Sequence, residues 1–162
     1  MVTKLPPLYP NSKDWHSFES GLDFQDFVAT KLHDNLGITI TNYSSMKWQF
    51  TTGENRQGIE IKLDRTCTNT NRLSIEIAEK SKAINPLFVP SGIYRNDNSW
   101  LYIQGTPRII FVFAKSLLIG LHKSGKYDEH EEPTIKAFFL PFDDARKYAA
   151  KVLEFDKQGN PG

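Results

Sequence analysis

The sequence predicts one α/β or α+β domain built on a mixed sheet. Three observations carry this. Apolar residues recur at helical spacing between Leu22 and Leu36. Strict apolar–polar alternation follows through residues 58–64 and again through 73–80, the pattern of strands with one buried face. Two further apolar runs, at 100–104 and 109–113, lead into a second helical pattern, so helices and strands are interleaved along the chain.

In chain order, residues 1–13 carry Pro6, Pro7 and Pro10 and read as an extended arm. Residues 14–155 form the domain. Phe24, Phe27, Val28, Leu32 and Leu36 give the first helix its stripe, Ser20 or Asp23 is placed to cap it, and Gly37 ends it. Residues 38–43 and 47–52 read as strands, with a turn at 53–58. The alternating stretches 58–64 and 73–80 read as the two arms of a β-hairpin joined by a polar connector. Pro86 and Pro90 make residues 81–91 a loop or a short helix. Strands are expected at 100–104 and 109–113, the second apolar throughout and therefore buried on both faces. Leu117, Leu118 and Leu121 mark a short helix over 115–123, followed by a charged, flexible segment at 126–133 and a strand at 134–140. Pro141, with Asp143 and Asp144 behind it, opens a last helix whose stripe is Phe142, Ala145, Tyr148, Ala149 and Val152. Residues 156–162 read as a flexible tail.

Composition narrows the function classes. At 162 residues with 39% hydrophobic and 24% charged residues, the chain can bury a core of its own. A net charge of +1 announces no global basic field, although a local basic groove is compatible with it. Cys67 is the single cysteine, which excludes an intramolecular disulfide and a four-thiolate zinc site. No stretch approaches a membrane span and the N-terminus has no leader-like apolar run, so a cytoplasmic protein is expected. His16, His33, His122 and His130 lack metal-ligand spacing.

The 58–80 hairpin is the focus of the chemistry. With Ile59, Ile61, Leu63, Leu73, Ile75 and Ile77 on one side, the other side carries Glu60, Lys62 and Asp64 on one arm, and Ser74, Glu76, Ala78 and Lys80 on the other. Pairing would bring Glu60 near Glu76, and like charges that close cost a few tenths to about 1 kcal/mol unless a cation lies between them. Lys62 and Lys80 are placed to supply part of that charge, and a divalent metal the rest. The face is either a solvated surface of cross-strand ion pairs or a metal site. Two carboxylates on rigid elements with a neighbouring lysine meet the needs of metal-assisted phosphodiester cleavage.

On these residues the chain resembles the PD-(D/E)XK nuclease superfamily. Gly21-Leu22-Asp23-Phe24-Gln25-Asp26-Phe27-Val28 is similar to its opening helix, Gly58-Ile59-Glu60 to the strand of the first metal carboxylate, and Ile75-Glu76-Ile77 to the strand of the second. The likeness covers roughly residues 20–122. It implies a restriction-endonuclease-like mixed central sheet flanked by helices, and a Mg²⁺-dependent endodeoxyribonuclease in which Mn²⁺ can substitute. Glu60 and Glu76 would hold the metal, Lys62 or Lys80 would support the attacking water, and Gln25 and Asp64 would lie at the site's edge. The pattern departs at Ala78, where the lysine two residues after the second acid is expected. A literal Glu-x-Lys occurs instead at Glu60-Ile61-Lys62, which leaves open a reading in which Glu54 is the first acid.

DNA is the implied partner, with Tyr94 and Arg95 in the polar 90–100 loop as candidate contacts; the bland reading of that loop is a turn built from Asn, Asp and Gly. A homodimer, or membership of a larger assembly, is the expected route to specificity. The alternatives are a non-catalytic DNA- or protein-binding module on the same fold, and an interaction protein that meets no nucleic acid.

Overall fold

The amphipathic pattern at the start becomes helix α1 (Phe18–Leu36). Gly37 ends it in the left-handed region (φ 69°), donating to the His33 carbonyl at 3.0 Å. The computed structural model describes residues 18–40, 57–158, 160 and 161. The expected N-terminal arm, the 47–52 strand and Glu54 lie outside the described residues. Residues 38–40, read from the sequence as the start of a strand, are irregular.

Among the described residues eight strands follow: β1 (Ile59–Leu63), β2 (Arg72–Glu79), β3 (Val89–Pro90), β4 (Leu101–Thr106), β5 (Ile109–Ala114), β6 (Glu129–Glu131), β7 (Ile135–Pro141) and β8 (Lys151–Glu154). Between them lie three short helices, α2 (Cys67–Thr70), α3 (Lys115–Lys123) and α4 (Phe142–Tyr148), and a 3₁₀ turn (Gly92–Tyr94). The strands form two sheets of order β1-β4-β5-β8 and β3-β2-β7-β6. The first sheet is mixed, with β1 parallel to β4 and the other pairs antiparallel. The mixed α/β domain expected from the sequence is thus present. Among the described residues no helix is long and apolar enough to cross a membrane.

The hairpin is not present. β1 and β2 are both strands with the expected alternation, but they belong to different sheets. The connector between them contains α2, which Asn71 closes at φ 59°, and this turns the chain out of the first sheet. β2 pairs instead with β7 along its length, where Leu73 and Ile75 stand opposite Leu140 and Phe138. That partner offers a long apolar inner face, and β1 finds its own in the parallel β4.

The first sheet is the middle layer. On one face Ile59, Ile61, Ile103, Ile110 and Val112 take the α1 stripe of Phe24, Phe27, Val28 and Leu32. On the other, Tyr102, Phe111 and Phe113 pack with Leu73, Ile75, Phe138 and Leu140 of the second sheet, and with Leu118 and Phe142 from the helices. β5 contributes to both cores, as its unbroken apolar run requires.

Two segments differ from expectation at the C-terminal end. The charged 126–133 stretch contains β6, an outer strand with no apolar face to betray it. The last helix stops at Tyr148, and Val152 belongs to β8, which pairs with β5. Past β8, the segment expected as a flexible tail contains a turn in which the Asp156 carboxylate accepts from the Gln158 and Asn160 amides, each at 2.9 Å.

Candidate active site

Alternation along β1 turns Ile59 and Ile61 toward α1, and Glu60 and Lys62 toward the side of the second sheet. Glu60 is buried, and its carboxylate lies 3.4 Å from the Lys62 ammonium. The two residues thus form a joined acid–lysine pair at i and i+2 of one strand.

Asp64, just past β1, fastens the sheets together. Its Oδ2 accepts from the Ser74 backbone N–H at 2.9 Å and from Gln104 Nε2 at 2.8 Å. Gln104 Nε2 also donates to the Ser74 carbonyl at 2.7 Å. Ser74 sits on a stretch of β2 that β3 does not cover, since β3 pairs only with Ala78 and Glu79. The carboxylate and the amide therefore serve β2 as a neighbouring strand would, supplying one acceptor and one donor to its open edge. Burial pushes the Asp64 pKa up, and hydrogen bonds from Ser74, Gln104, Thr66 and Cys67 offset this only in part.

Where the edge of β2 meets the first sheet there is an open, polar cleft of about 190 Å³. Lys62, Asp64, Arg65 and Gln104 line it from the first sheet and its exit, and Ser74 and Glu76 from β2. Glu132, Ile135 and Ala137 complete its far side. Glu76 is held in place by the 3₁₀ turn. Gly92, at φ 57°, packs so closely on β2 that an added Cβ would collide with the Glu76 carbonyl. Beside it the Ser91 amide donates to Ile77 at 3.1 Å, and the β2–β7 register shifts between Glu76 and Ala78.

Lys62, Asp64 and Glu76, picked from the sequence as site residues, therefore line one cleft, and Glu60 is joined to it through Lys62. Four other candidates are placed elsewhere. Lys80 donates to the Asn85 carbonyl at 3.0 Å and lies over the Phe88 ring, so it stabilises the 81–88 loop instead of reaching the cleft. Gln25 is on α1, which covers the opposite face of the first sheet, and so is not at the site's edge. The Tyr94 hydroxyl meets His122 Nδ1 at 2.5 Å, on the α3 side of the second core. Arg95 lies 3.9 Å from Asp97. Gln104, Arg65 and Glu132 were not singled out in the sequence, and Ser74 was named there only as part of the polar face. Only Gln104 left a signal there, as the one amide in an otherwise apolar run.

Of the two acids, Glu76 lines the cleft, whereas Glu60 does not and is paired with Lys62. Glu60 and Glu76 offer carboxylate oxygens, and Mg²⁺ is commonly held by one or two carboxylates with water and phosphate completing its shell. An all-protein cage is a different matter: among the described residues no group of three or more His, Cys, Asp or Glu side chains is arranged to hold a metal ion. No protein-family model, curated protein or solved structure matches this chain.

Proposed function

We propose that the cleft hydrolyses phosphodiester bonds in DNA and takes Mg²⁺, or Mn²⁺ in its place, to do so. The observation that carries this reading is the Glu60–Lys62 pair on β1, with Lys62 sharing its cleft with Glu76 from the other sheet. Glu60 and Glu76 are the residues that would hold the metal. When bound, the metal supplies charge that polarises the scissile phosphate and lowers the pKa of water. Lys62 then has two partners: at rest it neutralises Glu60, and toward substrate its ammonium donates to a phosphate oxygen or orients the attacking water. Arg65, at the cleft mouth, adds a second cation on the phosphate side. Specificity would come from a homodimer or a larger assembly.

Incubation of supercoiled plasmid with Mg²⁺ or Mn²⁺ tests the reading. Nicking or linearisation by wild type, lost in Glu76→Ala and in Lys62→Ala, is the expected result. Titration calorimetry with Mn²⁺ should show binding to wild type that weakens in Glu60→Ala. Wild-type protein that folds but neither cuts DNA nor binds Mn²⁺ overturns the proposal.

A second reading, a non-catalytic DNA- or protein-binding module, is favoured by one observation. Ala78, at the position where the resemblance expects a lysine, brings no ammonium, and Lys80 is engaged with the Asn85 carbonyl. Protein that binds DNA with wild type and Glu76→Ala equally inert would support it.

A further inference from the structure

The cleft does not end at Glu76. The outer face of the second sheet continues from it, and alternation places Ser74 and Glu76 of β2 on that face with their cross-strand partners Phe139 and Ala137 of β7. His130 of β6 is in register with Ala137 and extends the same row. Arg72, two residues before Ser74, closes the row at its other end.

Two of these side chains lie against the ring of a third, and the three are called the stack below. The Arg72 guanidinium lies over the Phe139 ring, 3.5 Å from its centroid, and the His130 ring lies 4.2 Å from the same centroid at 39°. Phe139 is half-buried and Arg72 is exposed. A phenyl ring under a guanidinium fixes the plane of the cation while leaving its outer face and its N–H edge to a ligand. His130 Nδ1 is a buried nitrogen with no hydrogen-bond partner, and its Nε2 lies 3.9 Å from Glu132, a residue of the cleft wall. A planar cation on an aromatic base, continuous with a cleft where Lys62 and Arg65 stand beside Asp64, Glu76 and Glu132, suits a strand that offers flat bases and a phosphate for Arg72.

Building on the nuclease reading, we infer that the Arg72–Phe139–His130 stack binds the DNA strand beside the scissile phosphate, and that it takes unpaired nucleotides there. An unpaired base can lie on the guanidinium plane, whereas a base inside a duplex has both faces covered by its neighbours. The N–H edge of Arg72 is left for the adjoining phosphate. The substrate class that fits is a duplex with a single-stranded extension, the duplex–strand junction lying at the cleft.

Fluorescence anisotropy tests this with two labelled probes, a duplex carrying a single-stranded overhang and the same duplex made blunt. Both are titrated with the full chain in EDTA so that no cutting occurs. Wild type should bind the overhang probe about tenfold more tightly than the blunt one, the scale of one base stacked on a planar side chain. Arg72→Ala should remove that preference and lower the salt slope of overhang binding by about one, the loss of one phosphate contact. Arg72→Lys should keep the slope and still lose the preference, which a merely structural role would not produce. Arg72 is exposed and gives up only its contact with Phe139, so both variants should stay folded with a Tm within about 4 °C of wild type. Equal binding of the two probes by wild type, or an unchanged preference in both variants, overturns the inference while plasmid cleavage stands. Wild type that neither binds nor cuts any DNA removes the nuclease reading as well.

Discussion

Replacing Gln104 with leucine tests how the two sheets are joined. Gln104 is 3% exposed, and its Nε2 serves two acceptors, Asp64 Oδ2 at 2.8 Å and the Ser74 carbonyl at 2.7 Å. Leucine matches the volume and supplies neither bond. A hydrogen bond to a charged group contributes about 1.5–3 kcal/mol, and a buried carbonyl left without a donor costs about 1–3 kcal/mol. The adjoining cleft lets water reach part of what is exposed, and the new apolar side chain returns some burial energy. The net loss should be about 2–4 kcal/mol. For a chain of this size that corresponds to a fall in Tm of roughly 5–15 °C. Urea unfolding followed by tryptophan fluorescence gives the free energy, and Tm is read by circular dichroism. Asp64→Asn, whose amide oxygen can still accept from Ser74, should cost less than Gln104→Leu. A Gln104→Leu variant within about 0.5 kcal/mol of wild type would show that the side chains do not hold the open edge of β2, and the argument for how Glu76 is positioned would go with it.

Two other outcomes follow from the same geometry. Gly92→Ala forces a Cβ onto the Glu76 carbonyl at a left-handed φ, so it should destabilise by about 2 kcal/mol or more and reduce Mn²⁺ affinity in calorimetry even where the protein stays folded. Asp97 is pulled two ways: burial raises its pKa, but hydrogen bonds from Ser99 and the charge of buried Lys115, 3.2 Å away, outweigh burial and leave it below the usual 3.8. A depressed carboxylate contributes stability that is present above its unfolded value and lost as pH falls through the folded one. Stability of wild type should therefore decline below about pH 4, and Asp97→Asn should flatten that limb, as read by urea titrations at stepped pH.

What the sequence made legible was which face of each strand is buried. Alternation at Ile59, Ile61, Leu73, Ile75 and Ile77 marked those side chains as core, and they are core. It said nothing about which strand lies alongside. Residues 64–72 looked like a hairpin connector because polar residues suit a turn, yet the same residues form α2 and carry the chain between sheets. β6 was hidden because Glu129-His130-Glu131 has no apolar face, and β8 because Val152 also fits the helical stripe of α4. At the candidate site, Glu60 and Lys62 were readable as a pair because two residues on one strand share a face whatever that strand pairs with. Glu76 reached the same cleft by another route than a hairpin, through the close seating of Gly92 and the bonds at Ser74. Lys80 and Gln25 were placed from an assumed pairing and an assumed layer, and neither survives the actual topology.

The order in which the chain visits the two sheets has a consequence for how it is made. It lays down β1 in one sheet, β2 and β3 in the other, β4 and β5 in the first, β6 and β7 in the second, and β8 in the first again. β2 waits for β7 before it has a long neighbour, and β5 waits for β8. A nascent chain emerging from the ribosome would thus expose the apolar sides of Leu73, Ile75 and Ile77 until nearly all of it has been synthesised. Such late, distant pairings slow assembly and leave sticky edges open meanwhile. Removing the last helix and strand would strip β5 of its outer neighbour and uncover the Phe111 ring that Phe142 packs against.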